Sequence, residues 1–328
     1  MRRRLLDVLA CPQCARELSV VLSDSGETAD IQTGALACAA CGRTFPVVNG
    51  IPRFVPADNY AASFGYQWNR FKTEQIDSRN GTKLSEARLF AETGWARDWI
   101  AGKWILDVGC GAGRFLDVIS REPCEAVGVD LSNAVDAARA TLGPRPNVDL
   151  VQASIYELPF KPGAFDGCYC IGVIQHTPSP VRSLEALPRV VRSGGRLAVT
   201  IYERKPWTTL NAKYLVRPLT RRVNKRLLLF AIRALMPLLF PLTEITFRLP
   251  GVGRVFMFAI PVANYVGERQ LTWRERYRWA IMDTFDMLSP EYDQPQTESA
   301  ASAALARGGT AGITRVGTSG LTLVGTKS

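Results

Sequence analysis

From Trp104 to Tyr202 the chain alternates short apolar strands with helical stretches, and this alternation restricts its architecture more than any other feature. Strands are expected at 104–108, 126–130, 148–152, 165–171 and 195–202, and helices at 114–121, 132–142 and 180–192. Strands joined by amphipathic helices pair in parallel, and the helices then cover both faces of the sheet. The expected fold class is α/β, a doubly wound, Rossmann-like sheet. Further on, an alanine-rich helix (297–307) precedes I-T-R-V-G and L-T-L-V-G, split by Thr318-Ser319-Gly320. That pair is expected as an edge hairpin, which brings the sheet to seven strands.

A second constraint comes from cysteine. The eight cysteines include C-P-Q-C (Cys11, Cys14) and C-A-A-C (Cys38, Cys41), and the one histidine in the chain, His176, is far away. Any metal site near the start must therefore be all-cysteine. Two C-x-x-C turns at this spacing can close a tetrahedron around zinc, and four thiolates leave no open coordination position, so the zinc is expected to be structural. The stretches L-L-D-V-L-A-C-P-x-C and C-x-x-C-G-R-T-F-P-V-x-x-G-I-P resemble the small zinc-ribbon activator subunits of tRNA and protein methyltransferases. The ribbon (1–56) is expected to fold on its own metal, independently of the rest of the chain.

Composition sets the outer bounds. With 328 residues, 47% hydrophobic and 21% charged, the chain is long and apolar enough for a buried core of about two domains. No stretch reaches 18 uninterrupted apolar residues, so no spanning helix is expected. The basic start M-R-R-R-L-L-D loses its apolar run at Asp7; a secretory leader is not expected, and the expected compartment is the cytoplasm.

The turn after the first strand of the alternating region carries the chemistry. Acidic-x-G-x-G-x-G (Asp107, Gly109, Gly111, Gly113) lets backbone approach a ligand closely, while the dinucleotide pattern G-x-G-x-x-G fails at its last glycine. The motif, with Asp130 ending the second strand, Y-E-L-P-F (156–160), the segment 165–180 and L-P-R-V-V-R-S-G-G-R-L-A-V (187–199), resembles class I S-adenosylmethionine (SAM)-dependent methyltransferases, type-11-like, over about residues 104–202. The resemblance implies SAM as cofactor, contacted by Asp107, Gly109, Cys110, Gly111, Gly113, Asp130, Leu131, Ser154, Ile155, Ile171 and Gln175. It implies that Asp130 accepts from the ribose hydroxyls, that Ser154 stands where relatives carry an Asp against the adenine, and that Phe64, Tyr66, Gln67 and Trp68 form a lid over SAM.

On the acceptor side, methyl transfer to a hydroxyl needs positioning and a base. His176, just past the fourth strand, is the first candidate; Asp283, Asp286, Tyr292 and Asp293, in a late acidic segment interleaved with apolar residues, are the others. Ile174-Gln175-His176 replace the Asp-rich metal motifs at the fourth strand, so metal-independent transfer is expected.

The formal charge of +10 is concentrated. Nine basic residues and no acidic one lie between Arg204 and Arg233, followed by the 14-residue run 227–240, which holds Arg233 and Pro237. The run is expected to be too short and too broken to span a membrane. Two readings stay open for this insertion: a cap over the active site, or an amphipathic segment on an anionic membrane or a lipid-linked acceptor. The expected organisation is ribbon (1–56), linker and lid helices (57–103), SAM-binding core (104–202), helical insertion (203–295), and final helix with hairpin (296–328). The expected function is O-methylation of a small-molecule, glycan or lipid-linked acceptor, peripheral at the inner membrane face if the insertion contacts lipid. The alternatives are an RNA methyltransferase using ribbon and basic segment, and a non-catalytic SAM-fold scaffold.

Overall fold

The computed structural model describes residues 1–23, 30–56, 59–317 and 320–328. Four short strands, β1 (Ser19–Ser23), β2 (Gly34–Ala37), β3 (Thr44–Val48) and β4 (Ile51–Pro52), pair antiparallel in chain order. Helices α1 (Ala62–Arg70), α2 (Asp77–Asn80), α3 (Leu84–Thr93) and α4 (Arg97–Ile100) lead into the second sheet. Its first part runs β5 (Trp104–Val108), α5 (Arg114–Ile119), β6 (Glu125–Asp130), α6 (Ala134–Leu142), β7 (Val148–Gln152), β8 (Phe165–Ile171), α7 (Pro180–Ala186) and β9 (Val191–Ile201). The insertion is helical: α8 (Ala212–Thr220), α9 (Lys225–Thr246), α10 (Gly253–Ala259) and α11 (Trp273–Leu288). Helix α12 (Glu298–Arg307) and the strands β10 (Thr310–Gly317) and β11 (Leu321–Lys327) close the chain.

The second sheet has seven strands in the order β10-β11-β9-β8-β5-β6-β7. Strands β5 to β9 are parallel, and the terminal hairpin adds antiparallel at β9. Strand order reverses at β5, so the crevice at its carboxyl end is where such a sheet takes a ligand. Thr318 and Ser319 of the expected hairpin turn lie outside the described residues. The helix expected to reach 192 ends earlier: Leu187–Val190 tightens into a 3-10 turn around Pro188, whose missing N–H ends the α-helical ladder. Val191 then pairs with Phe165, so β9 starts four residues before the expected position.

The ribbon does not stand apart. Its buried Met1, Leu5, Leu9 and Leu36 share one apolar cluster with Leu106, Phe160 and Phe165 of the large sheet. Past β4 the chain runs alongside β7: Arg53 pairs parallel to Gln152, and the Phe54 N–H donates to the Gln152 carbonyl at 2.8 Å. At that point the β7 edge of the seven-stranded sheet is partly paired, which leaves fewer unpaired backbone groups there. Independent folding of the ribbon, as expected from its cysteines alone, disagrees with this common core.

Helix α9 differs from its sequence reading. It runs unbroken for 22 residues with Pro237 and Pro241 inside it, and by length and composition it is apolar enough to cross a membrane. One stripe (Leu229, Ile232, Met236, Phe240) is buried against Trp279, Met282 and Phe285 of α11. That packing holds the helix through two prolines that would break an isolated one, since tertiary burial overrides local propensity.

Candidate functional site

The turn 109–113 folds tightly because its three glycines take φ of +81, +52 and +88°, which side-chain-bearing residues avoid. Space matters as well: a Cβ on Gly109 would stand 2.3 Å from Val173 Cγ2, and one on Gly111 would stand 3.1 Å from Trp68 Nε1. The turn is pinned from below. At the end of β6, Asp130 Oδ2 accepts the Gly111 N–H at 3.0 Å, and Oδ1 accepts the Ser132 N–H and hydroxyl at 2.8 and 2.7 Å. With Oδ1 engaged twice, Oδ2 keeps the free lone pair for a ligand hydroxyl.

Asp107 lies fully beneath this turn, and its Oδ2 has no hydrogen-bond partner. Burial pushes its carboxyl up to about 8, the neighbouring Tyr169 hydroxyl works against the shift, and the Asp130 charge adds to it.

Above the turn opens a cavity of about 880 Å³. Gly109, Cys110, Gly111, Asp130, Leu131, Ile155 and Ile171 line one part of it, with Trp68 of α1 laid across. The glycine cradle and the remaining Asp130 lone pair suit a ligand carrying a diol, as SAM does, while Asp107 is buried behind the turn and does not itself line the cavity. Several expected cofactor residues do not line the cavity. Gly113 is the residue before α5. The Ser154 hydroxyl accepts the Tyr156 N–H at 3.2 Å and caps a short turn, while its neighbours Ala153 and Ile155 face the ligand space. Tyr66 packs on Phe285, and Gln175 is fully buried with an unpartnered amide.

The other part of the cavity is roofed by the insertion. His176 lines it, between Phe64 and Tyr202 at ring-centroid distances of 5.0 and 5.6 Å. Its Nδ1 is 3.0 Å from the Tyr292 carbonyl. A carbonyl can only accept, so Nδ1 carries the proton and Nε2 is left as the basic nitrogen of the neutral ring. Asp283 and Asp286 sit one turn apart on α11 and face the same space. Burial, then the charge of Asp286, pushes Asp283 up to about 7, against the opposing pull of Arg114 and Arg88. Burial also raises Asp286, and the nearby His176 lowers it; the fully buried Gln67 amide sits against Asp286 and has no other partner.

Two candidates have other work. Asp293 is held by Lys213 at 2.9 Å and by the Tyr214 hydroxyl at 3.2 Å, away from the cavity lining. Tyr292 acts through its backbone carbonyl, while its ring packs edge-on against Tyr60. The cavity also holds residues that the sequence did not single out, notably Arg88, Glu92, Arg114 and Tyr202. Tyr202 directly follows β9 at the carboxyl edge, a position that strand-end geometry flags by itself. Arg88 and Glu92, an i,i+4 pair on α3, lay in a segment that carried no motif.

In the ribbon, the four sulfurs of Cys11, Cys14, Cys38 and Cys41 all lie within 4.8 Å of one another, with Cys11–Cys41 at 3.6 Å and Cys14–Cys38 at 3.4 Å. A tetrahedral zinc thiolate site with bonds near 2.3 Å has sulfur–sulfur edges of about 3.8 Å, which these residues match. The two knuckles are built alike: Ala15 and Gly42 donate to the Cys11 and Cys38 carbonyls, and both take positive φ.

Comparison with known proteins bears on both regions. Residues 106–199 match the family model described as a methyltransferase domain, and residues 2–50 match that of Trm112p-like proteins. The two matched segments follow one another along the chain and together span less than half of it. Among curated relatives, the ubiquinone biosynthesis O-methyltransferase of Dechloromonas aromatica is 31% identical over 137 residues, 38% of this chain and 59% of the relative. The enzyme of the same name from Pseudomonas aeruginosa is 28% identical over 132 residues, 38% of this chain and 57% of that protein. The chain thus spans a little over half the length of the curated relatives it matches. Among solved structures, a SAM-dependent methyltransferase from Aquifex aeolicus has 20% identity and a TM-score of 0.34, covering 45% of this chain and 75% of its own. One chain of a complex containing the Haloferax volcanii Trm112 methyltransferase activator has 20% identity and a TM-score of 0.33, covering 44% and 63%.

Proposed function

We propose that this protein transfers a methyl group from SAM to a hydroxyl of a small-molecule, glycan or lipid-linked acceptor held under the helical insertion. The observation that carries the reading is the placement of His176, its tautomer fixed by the Tyr292 carbonyl, in one cavity with the cradle of Gly109, Gly111 and Asp130. When bound there, SAM supplies a methyl group on a positively charged sulfur. Asp130 would hold its hydroxyl-bearing part, and the 109–111 backbone would approach it closely. The Nε2 of His176 would take the acceptor's proton, and Asp286, close enough to interact with the ring electrostatically, would stabilise the imidazolium that forms. Phe64, Tyr202 and Trp68, which line the cavity, would shield the reacting atoms from water. The names of the relatives support oxygen as the accepting atom.

The RNA reading draws less support. Lys213 and Arg217 of the basic segment are turned inward to Asp293, and Lys225 donates to the Arg221 and Ser289 carbonyls. A scaffold without catalysis would have no need of the cradle and a tautomer-fixed histidine together.

The test is methyl transfer from tritiated SAM to a panel of phenols, sugars and polyprenylated phenols, beside SAM binding by calorimetry. His176→Ala is expected to lower kcat by about 10²–10⁴ while SAM affinity stays within about twofold. A variant that keeps most of its kcat would remove His176 as the base, and absence of SAM binding would end the reading altogether.

A further inference from the structure

The insertion turns an apolar surface outward that nothing in the fold covers. Of the 18 large hydrophobic residues exposed among the described residues, 15 fall between Trp207 and Trp273. On α9 they form the stripe Leu227, Phe230, Leu238, Leu242 and Ile245, opposite the stripe buried on α11, with Leu238 at 75% exposure. On α8, Leu215 and Leu219 repeat the pattern one turn apart, with Leu215 at 74%. Both helices pack their inner sides on α11, so their bare sides turn away from it.

The charge on this surface has one sign. Between residues 204 and 267 the single acidic residue is Glu244, and it is bound by Arg248 and Arg276. Arg221, Arg222, Arg226 and Arg233 are exposed and have no ion pair among the described residues. An apolar stripe flanked by unpaired arginines, with no free carboxylate, is complementary to an anionic lipid surface: side chains such as Leu238 and Ile245 enter the acyl boundary while guanidinium groups meet phosphates. A protein partner of ordinary composition would leave these cations unmatched.

We infer that the outer face of α8 and α9 is a docking site for an anionic lipid bilayer, on which α9 lies in the plane of the interface. Helix α9 does not cross the bilayer, although its length would allow it. Its inner stripe forms the core of the cap, with Met236 and Phe240 fully buried, and Glu244 near its end is tied to Arg276 of α11. Spanning would strip that stripe from Trp279, Met282 and Phe285 of α11, whose neighbours Asp283 and Asp286 line the cavity. The inference is independent of the methyl-transfer reading, because the surface lies outside the cavity.

Flotation of the full chain with phosphatidylcholine vesicles, alone or with about one third phosphatidylglycerol, tests it. Binding to the anionic vesicles is expected, with little to the neutral ones, and affinity should fall about tenfold or more on raising salt from about 0.05 to 0.5 M. Leu238→Glu/Ile245→Glu should abolish flotation, and Arg221→Glu/Arg222→Glu should weaken it about tenfold or more, each with unchanged SAM affinity and thermal melting. Failure of the wild type to bind anionic vesicles at low salt overturns the inference. So does binding that the leucine variant retains, binding that resists high salt and alkaline extraction as a spanning helix would, or a dimer in light scattering that the leucine variant disrupts without any vesicle binding.

Discussion

The most informative single residues here are carboxylates placed where water is scarce. Burial pushes Asp107 up to about 8 and Asp283 up to about 7, against an ordinary value of about 4. At these two sites the folded chain binds more protons than the unfolded one between about pH 4 and 8, so their contribution to stability is expected to fall as pH rises through that window and to level off above it. Asp283→Asn removes one of the two contributions. Its melting temperature should drop less between pH 5 and 8 than that of the wild type, as thermal melts in matched buffers would show; parallel curves would mean that Asp283 titrates normally. At this scale the sequence anticipated what fixed motifs bring together, Gly109, Gly111, Asp130 and His176 around one cavity and the four cysteine sulfurs near one another, but not that Asp107 and Gly113 stay outside that cavity. It was silent where a residue acts through its backbone. The Tyr292 carbonyl that fixes the His176 tautomer could belong to any residue, and nothing in its identity announces it.

Among the elements, β5, β7 and β8 match their expected bounds, because a short apolar run between turn residues leaves little freedom. Helix α9 and the start of β9 were less legible, since each is decided by a partner distant in sequence: α11 for the one, β8 for the other. The same holds for the contact between ribbon and large sheet, which rests on arginines with no motif. Arg2 Nε donates to Asp149 at 2.8 Å and its Nη1 to Glu125 at 2.9 Å, and the Asp149 side chain is 3% exposed; Arg4 reaches Glu125 at 2.8 Å from a half-exposed position. Removing Arg2 strands a buried carboxylate, whereas removing Arg4 gives a surface charge back to water. Arg2→Ala is expected to cost about 3 kcal/mol and Arg4→Ala less than about 1 kcal/mol in urea unfolding. Equal costs would show that the buried pair is not what joins the two sheets.

At the scale of the whole molecule, the ribbon and the seven-stranded sheet should unfold as one unit. Cysteine spacing alone suggests a small zinc domain whose loss leaves its neighbour intact. Packing argues otherwise, because the cluster containing Leu5, Leu9 and Leu36 continues into Leu106, Phe160 and Phe165, and the segment after β4 pairs with β7 at Gln152. Four thiols brought within 4.8 Å of one another repel as thiolates unless a cation joins them, so the knuckles depend on zinc and the shared core depends on the knuckles. Calorimetry of the zinc-loaded protein is expected to show a single transition. After treatment with a strong chelator, or in Cys38→Ser, that transition should move down by about 10 °C or more, and SAM affinity should fall with it, since β6 and β7 lose their cover. A second transition that stays at the original temperature after chelation would show that the large sheet does not need the ribbon. The edge contact would then be a docking of two independent domains, and the common core would contribute little to stability.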